Sequence, residues 1–519
     1  MKTSAKINLN KLTISAAAFV LILNTGCIKN CDSINTDPTT FSTLPAATIP
    51  KAFAISEWEG VYADPGNYEV IHSLYIDLWS QYFVDGGGYA GDRYLIDPGL
   101  IIFSWNLTYT VNWPSLKLVI DQTENIQPAA NAIAKIWKVY IFHQESDFYG
   151  PIPYSQAGLG LLSIPYDSQE SIYDNFFSLL DSATAVLSAT DPSERPFGTD
   201  DLIYHGDVTK WLKFANSLRL RLAMRISAIN PTLAQQEAEK AVASGTMTSN
   251  ADNAFCDVGP NSINGLAAEA PWENMRMSAS MESYLKGYND PRMAQYYSPA
   301  PDDGQFHGVR NGLPPDQVPL AVSPNGTNLS NINTARWSDT TQATTPLNVM
   351  YSAEAYFLMA EGALNGWNMG NTASYFYNQG ITLSLQQWGI SDNTVIQNYL
   401  QNTSPPIAPN DYLNSPAVSN VPVKFAADPA TERQQILTQK WLALFPDGIE
   451  AWAELRRTGF PILYPLLQSD NPDVAATDII RRITWVAYEY QTNGAAVQAA
   501  LPLLNGPDKA STKVWWNSK

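Results

Sequence analysis

Residues 211–227 read WLKFANSLRLRLAMRIS and carry the clearest helical pattern of the chain. Apolar side chains recur at steps of three and four, which is the period of an α-helix with one buried face. Asp207 or Thr209 is expected to cap this helix. The basic residues Lys213, Arg221 and Arg225 fall at other angles. The predicted buried face consists of Trp211, Phe214, Ala215, Leu218, Leu222 and Ile226.

A second helix is predicted in SAEAYFLMAEGALNGW, residues 352–367, whose small residues would let a neighbouring helix approach closely. A new helical pattern begins after Gly366 and Gly370. Residues 352–388 therefore form a predicted helix-turn-helix unit of about the length of a tetratricopeptide-like repeat. The strict repeat signature is absent, so the similarity is one of packing.

A third helix is predicted from Thr431, because Gln434 follows at the spacing of a capping box. Stretches rich in Pro, Gly, Asn and Ser separate the helices, notably 298–348 and 400–430. Loops of that length are uncommon unless they bind something. We therefore expect a mainly α protein with little β structure and a loop-rich binding region.

The N-terminus predicts export and lipidation. Residues 1–26 form a signal peptide, with a basic start and an apolar stretch too short for a typical membrane span. Cys27 is the predicted lipidation site, although Asn24 stands where the usual motif has Leu; plain secretion is the alternative. Residues 27–50 are the expected tether, and 51–519 a single domain. The sequence leaves open whether Cys31 and Cys256 are joined.

Composition limits the function classes. The formal net charge is −18 over 519 residues, and removing residues 1–26 makes it more negative. Such a protein repels nucleic acid, so no nucleic-acid partner is expected. The chain is rich in aromatics, with 15 Trp and 26 Tyr, whose flat apolar faces suit cores, interfaces and sugar rings alike.

Five blocks in one order resemble the SusD/RagB family of nutrient-binding lipoproteins from Bacteroidetes. One is an Asn/Asp-Pro segment near the lipidated Cys, and another is an aromatic-Gly-x-x-Pro-Tyr-Ser turn. Two are the helices at 211–227 and 351–364, and the last is a helix followed by an Arg-Arg-Thr-Gly turn. The first, second and fifth blocks read INTDPTT at 34–40, DFYGPIPYSQAG at 147–158 and ILTQKWLALFPDGIEAWAELRRTGFP at 436–461.

This resemblance implies four tetratricopeptide-like helix pairs packed against an irregular, loop-rich ligand-binding region. Family members are lipid-anchored on the outer face of the outer membrane. There they capture glycans or other nutrients for a SusC-like TonB-dependent transporter. The resemblance supplies no catalytic residue, and we expect neither enzyme activity, nor a cofactor, nor a metal site.

Sugar recognition needs flat aromatic faces beside amide, carboxylate or guanidinium groups that satisfy the hydroxyls. The first predicted site is WSQYFVDGGGYAGDRY at 79–94, with Asp85 and Asp92 nearby. Its candidate ligand contacts are Tyr82, Tyr89, Arg93 and Tyr94. A surface turn whose tyrosines pack on the body is the alternative.

The second predicted site lies in 270–293, where Trp272, Asn274 and Arg276 are the candidate contacts. The Asp290-Pro291-Arg292 portion is expected to be structural, and Trp337 is a weaker candidate in the long 298–348 loop.

Other chemistries are disfavoured. Gly86, Gly88 and Gly91 match G-x-G-x-x-G, but Pro98 follows where a dinucleotide site needs its helix. The four histidines show no paired ligand spacing. Two other functions stay open: a secreted helical glycoside hydrolase with two facing carboxylates, and a structural subunit of the transporter that contacts no ligand.

Overall fold

Helical periods in the sequence become a mainly helical body in the computed structural model, which describes residues 45–86, 88–272 and 274–517. The α-helices of eight or more residues are α1 (Ile49–Gly60), α2 (Pro98–Leu107), α3 (Trp113–Thr123), α4 (Pro128–Tyr149), α5 (Gln169–Ala189), α6 (Val208–Arg225), α7 (Pro231–Ser244), α8 (Ala279–Gly287), α9 (Ser352–Leu364), α10 (Ala373–Gln387), α11 (Asn393–Leu400), α12 (Pro429–Leu444) and α13 (Gly448–Thr458).

Shorter elements connect these helices. They are the α-helical turns Pro65–Tyr68, Asp77–Trp79, Gly265–Glu269, Met293–Tyr296, Val318–Ala321, Ala487–Thr492 and Gly494–Ala500, the π-helical stretches Glu69–Ile76 and Thr108–Asn112, and the 3₁₀ turns Ala46–Thr48, Gly91–Arg93, Gly198–Asp200, Asn250–Asp252, Ala270–Trp272 and Leu501–Leu503. The strands are β1 (Phe83–Asp85), β2 (Ala254–Cys256), β3 (Met275–Met277) and β4 (Leu347–Met350).

Consecutive helices pack in pairs: α4 with α5, α6 with α7, α9 with α10, and α12 with α13. The α9–α10 pair confirms the predicted helix-turn-helix unit. Gly380 of α10 lies against the Phe357 ring of α9, where an added Cβ would come within 2.9 Å of that ring. A small residue thus permits the close helix approach, although it lies on α10 and not on the 352–367 segment whose small residues suggested it. The mainly α, tetratricopeptide-like fold expected from the sequence is confirmed.

Helix α6 confirms the predicted apolar face, whose six residues are all fully buried. Its cap is Asp207, whose carboxylate accepts from the backbone N–H groups of Thr209 and Lys210 at 3.0 and 3.1 Å. Arg221 and Arg225 are buried as well. They form ion pairs with carboxylates of other helices, so α6 is enclosed beyond its apolar face.

Helix α12 begins earlier than predicted. Asp428 caps it by accepting from the Thr431 backbone N–H at 3.0 Å, and Pro429 occupies the first turn, where a missing N–H does no harm. The predicted capping box at Thr431 and Gln434 is therefore wrong, because both residues lie inside the helix.

The described residues from Thr48 to Asn517 form one compact unit. Helix α1 begins at Ile49, so the last two residues of the predicted tether are helical. The signal peptide, Cys27 and Cys31 lie outside the described residues, whereas Cys256 is a buried free thiol. No helix in the described part is long and apolar enough to cross a membrane.

Candidate functional site

Pairing of β1 with β3 brings the two predicted site segments together. The strands are antiparallel, with Val84 opposite Arg276 and Asp85 opposite Met275. The Gly86 N–H extends the contact by donating to the Asn274 carbonyl at 2.5 Å. A further bridge joins Arg276 to Asn331. Three segments distant in sequence therefore meet at one edge of the fold.

A cavity of about 670 Å³ lies between these segments, and we call it the Trp272 cavity. Its floor is an apolar cluster of Val84, Val309, Leu313 and Leu329. Polar and charged groups share the lining with this floor. They are Asp85, Asp92, Arg93, Asn274, Arg276, Ser323 and Asn325. An apolar pocket with a few convergent polar groups is the usual form of a small-ligand site.

Trp272 supplies a flat aromatic surface to the cavity. It ends the short 3₁₀ turn Ala270–Trp272, and its side chain is 49% exposed. Large aromatic side chains are ordinarily buried in folded proteins. An indole left half exposed beside polar groups suits stacking against the apolar C–H face of a sugar ring.

The Arg276 guanidinium is held against the backbone of Gly326. Gly326 adopts a left-handed conformation, with φ +65°, and an added Cβ would lie 2.8 Å from Arg276 Nη2. Arg276 itself is buried. A side chain at position 326 would crowd the guanidinium, so glycine leaves room for this cation in the wall.

Arg93 connects the cavity to a distant loop. Its Nε donates to Asp470 Oδ2 at 2.7 Å, and its Nη1 donates to the Leu313 carbonyl at 3.3 Å. This pairing lowers the pKa of Asp470, which therefore stays ionised. The guanidinium is consequently fixed in orientation while it lines the cavity.

Two carboxylates of the lining organise the loop after β1. Asp85 accepts from the backbone N–H groups of Gly88 and Ala90 at 3.0 and 2.6 Å. Buried Asp92 accepts from the Gly312 N–H at 3.0 Å. Burial, with the nearby Asp85 charge, raises the pKa of Asp92 to about 7. Both groups thus bind backbone amides.

Gly91, the last glycine of the G-x-G-x-x-G match, serves packing. Its Cα approaches the Leu74 carbonyl so closely that an added Cβ would lie 1.7 Å from that oxygen. The glycine begins the 3₁₀ turn Gly91–Arg93, and the next α-helix begins only at Pro98. The dinucleotide fingerprint, which needs a helix directly after the glycines, is not formed.

The four candidates Arg93, Trp272, Asn274 and Arg276 line the same cavity. Tyr82 does not: it is fully buried, stacks on Trp441 and donates its hydroxyl to the Trp441 carbonyl at 2.6 Å. A core tyrosine with a satisfied hydroxyl has no face left for a ligand. The prediction that Tyr82 contacts the ligand is therefore wrong.

The prediction that Tyr94 contacts the ligand is also wrong. Tyr94 is 3% exposed and borders a different cavity, beside Pro461 and Tyr464. Its hydroxyl donates to the Asp478 carbonyl at 3.3 Å. Tyr89 is 51% exposed on the loop that Asp85 organises, yet it is outside the lining.

The segment 309–329 contributes lining residues that were not chosen from the sequence, among them Val318, Ser323 and Asn325. Only the unusual length of the 298–348 loop indicated it. Trp337 of the same loop is 3% exposed and lies in a second cavity. Arg292 is structural, as predicted, because it is fully buried and pairs with Asp290 at 2.7 Å.

Comparison with known proteins identifies a family that has this fold. Residues 49–517 match the family described as SusD-like, Susd and RagB outer membrane lipoprotein. The chain belongs to the SusD-like family. The resemblance seen in the five sequence blocks is thereby confirmed. No curated protein sequence matches the chain.

Solved structures of SusD homologues superpose over nearly the whole chain. A chitin-binding SusD homologue from Flavobacterium johnsoniae is 35% identical, with a TM-score of 0.82, and the match covers 91% of this chain and 99% of that one. A SusD-like protein from Bacteroides thetaiotaomicron is 34% identical, with a TM-score of 0.81 and the same coverage. A homologue from Bacteroides uniformis is 32% identical, with a TM-score of 0.81, and the match again covers 91% of this chain and 99% of that one.

Proposed function

We propose that this protein binds an oligosaccharide in the Trp272 cavity and passes it to a SusC-like TonB-dependent transporter, without catalysing a reaction. The observation that carries the proposal is the half-exposed Trp272 indole beside the Arg93 guanidinium, which Asp470 holds, and the buried Arg276 guanidinium. Together these groups offer stacking to a sugar ring and hydrogen bonds to its oxygens.

The oligosaccharide to try first contains N-acetylglucosamine. A homologue that is 35% identical over almost its whole length is described as chitin-binding. The apolar floor of Val84, Val309, Leu313 and Leu329 suits the methyl of an acetamido group. Asn274 and Arg276 are amide and guanidinium groups of the kind that hydrogen-bond its carbonyl.

Binding without turnover is favoured over glycoside hydrolysis by the state of the two acids in the cavity. A glycosidase needs one carboxyl to donate a proton to the leaving oxygen and another to act as nucleophile or base. Asp85 and Asp92 already accept hydrogen bonds from backbone amides. Both carboxylates are therefore engaged in hydrogen bonds that hold the loop after β1.

Calorimetric titration of the full-length protein in detergent with chitin oligosaccharides tests the proposal. We expect saturable binding with no shorter product in the mixture. Trp272→Ala should weaken binding at least tenfold, which corresponds to about 1.4 kcal/mol or more. Tyr375→Ala is the matched control, because Tyr375 is an aromatic of similar exposure, 43%, that lies outside the cavity lining.

Three outcomes argue against the proposal. Flat titrations across a wider panel of oligosaccharides favour the structural-subunit function. Equal losses in Trp272→Ala and Tyr375→Ala place the ligand elsewhere. Chain cleavage that Asp85→Asn or Asp92→Asn abolishes would establish the glycosidase.

The cellular arrangement is part of the proposal. Signal peptide 1–26, lipidated Cys27, tether 27–50 and a single domain over 51–519 would anchor the body on the outer face of the outer membrane. Family membership supports this, since the matched family consists of outer-membrane lipoproteins. Cys27→Ser should release the protein from the membrane fraction, and affinity purification of the wild type should recover a TonB-dependent transporter.

A further inference from the structure

A second cavity, of about 130 Å³, shares no lining residue with the Trp272 cavity. We call it the Trp337 pocket. Its lining includes five aromatic residues: Tyr68, Phe255, Trp337, Tyr351 and Trp388. Arg336 is the one charged residue among those that line it in the described part of the chain. The pocket therefore combines aromatic surfaces with a single positive charge.

Hydrogen bonds within the loop fix the backbone at Arg336. Its N–H donates to the Asn333 carbonyl at 3.1 Å, and its carbonyl accepts from the hydroxyls of Thr341 and Thr345 at 2.8 and 3.0 Å. Trp337 is fixed in the same turn, because its N–H donates to the Asn333 carbonyl at 3.0 Å. The loop thus holds the backbone of both residues in place beside the pocket.

The Arg336 guanidinium has unused donors. Its centre lies 4.7 Å from the Trp388 ring and 5.8 Å from the Trp337 ring, in cation–π contact. Across residues 45–86, 88–272 and 274–517, no carboxylate oxygen lies within 4.0 Å of it and no acceptor hydrogen-bonds it. Partial burial lowers its pKa, which shows that neighbouring charge does not offset the desolvation.

The Asn348 side-chain amide and the Tyr68 hydroxyl, both in the lining, are also without a hydrogen-bond partner in the described structure, as is the buried Trp388 Nε1. The Tyr68 ring is held in place by stacking on His72, with ring centres 4.3 Å apart. Asn348 belongs to β4, which pairs with β2. These polar groups, each without a hydrogen-bond partner in the described structure, therefore face the Trp337 pocket from residues that are held in place.

We propose that the Trp337 pocket binds a small carboxylic acid, with the carboxylate on Arg336 and the attached ring against the aromatic walls. A guanidinium matches a carboxylate through two parallel hydrogen bonds. One positive charge in the lining balances a monoanion rather than a phosphate or sulfate dianion. The volume accommodates a single ring. This site is independent of the oligosaccharide binding proposed for the Trp272 cavity.

Two probes distinguish a sugar acid from an amino-acid derivative: D-glucuronate and N-acetylphenylalanine. Each is titrated into the full-length protein while tryptophan fluorescence and heat are followed. D-glucose and the methyl ester of glucuronic acid are the neutral comparisons. We expect at least one acid to saturate at one equivalent per chain, and the neutral analogues to bind at least tenfold more weakly. Whichever acid binds identifies the class of ligand.

Substitutions assign the binding to the pocket. Arg336→Gln should weaken acid binding at least tenfold, whereas Arg195→Gln, which alters an exposed arginine outside both linings, should leave it unchanged. Asn348→Leu keeps the guanidinium but removes the amide, so it should also weaken acid binding. It provides the test if Arg336→Gln fails to fold. Trp272→Ala should have no effect on the acid.

The proposal is overturned if neither acid saturates in the wild type, or if the neutral analogues bind as tightly as the acids. It is also overturned if neither Arg336→Gln nor Asn348→Leu weakens binding. A loss of acid binding in Trp272→Ala would place the acid in the oligosaccharide site. Failure of chitin oligosaccharides to bind has no bearing on these results.

Discussion

Glu145 is a fully buried carboxyl in α4 without an ion-pair partner in the described structure. Its Oε2 accepts from the Thr108 hydroxyl at 3.1 Å, and its Oε1 has no described hydrogen-bond partner. Burial raises its pKa to about 8. Because the unfolded group ionises near its ordinary value, the folded state binds the extra proton between about pH 4.5 and 8. Stability from this group therefore falls as pH rises through that window.

Glu145→Gln should remove this pH dependence. At pH 5 we expect little change in the free energy of unfolding, since the native carboxyl is protonated like the neutral amide. At pH 9 the variant should be more stable than the wild type by about 3 to 5 kcal/mol. Urea unfolding at the two pH values measures the difference, and equal gains at both would show that packing rather than charge is responsible.

Gly326→Ala should weaken oligosaccharide binding, because the new methyl would meet the Arg276 guanidinium at 2.8 Å. Gly304→Ala is the matched control: Gly304 has φ +70°, against +65° for Gly326, and no atom lies within 4 Å of its added Cβ. Both variants should lose about 1 kcal/mol of stability from the left-handed backbone. Only Gly326→Ala should lose affinity, by fivefold or more in calorimetry.

At the scale of helices, buried ion pairs join elements that apolar packing alone would not orient. Arg225 of α6 pairs with Glu454 of α13 at 2.9 Å and with Asp147 of α4 at 3.2 Å. Arg457 of α13 pairs with Glu361 of α9 at 2.6 Å. Each interaction needs its partner, since an uncompensated charge in the interior is strongly unfavourable.

Arg225→Met should reduce the free energy of unfolding by about 3 to 5 kcal/mol, because Asp147, Glu450 and Glu454 lose their shared cation. Lys509→Met removes an exposed cation whose pair with Asp473 is solvent-screened, so its effect should stay below about 1 kcal/mol. Urea unfolding of both variants provides the comparison, and equal losses would contradict the role assigned to burial.

The N-terminal cap of α6 gives a second prediction for an element. Asp207→Ala removes the acceptor for two backbone N–H groups and should reduce stability by about 1 kcal/mol. Thr209, the other cap considered from the sequence, is the second residue of the helix. Thr209→Ala should therefore change the free energy of unfolding by only a few tenths of about 1 kcal/mol. Thermal unfolding distinguishes them, and the reverse order would place the cap at Thr209.

At the scale of the molecule, the Trp272 cavity is built from 84–93, 272–276 and 309–329, which meet only in the folded chain. A ligand there binds the native state and not the unfolded one. Chitin oligosaccharide at a hundred times its dissociation constant should therefore stabilise the protein by about 2.7 kcal/mol. In Trp272→Ala, whose affinity is at least tenfold lower, the stabilisation at the same concentration should fall to about 1.4 kcal/mol or less, and in Tyr375→Ala the rise in Tm should persist in full.

Periodicity in the sequence was sufficient to predict α6, α9 and α10 and the pairing of α9 with α10, whereas it placed the start of α12 too late. Trp211, Leu218 and Leu222 recur with the period of one helix face, and they are buried as that period requires. A repeat of this kind is a local property, set by backbone geometry within a few residues. The SusD-like family was likewise evident from the order of the five blocks.

Tertiary structure alone decided which candidates share a site. Local sequence shows Tyr82 and Trp272 as equally plausible aromatics, yet one is sealed against Trp441 and the other is half exposed. The burial of Arg225 likewise depends on carboxylates far away in the chain. Exposure and charge pairing are set by partners brought close only by folding, so no local pattern of residues contains them.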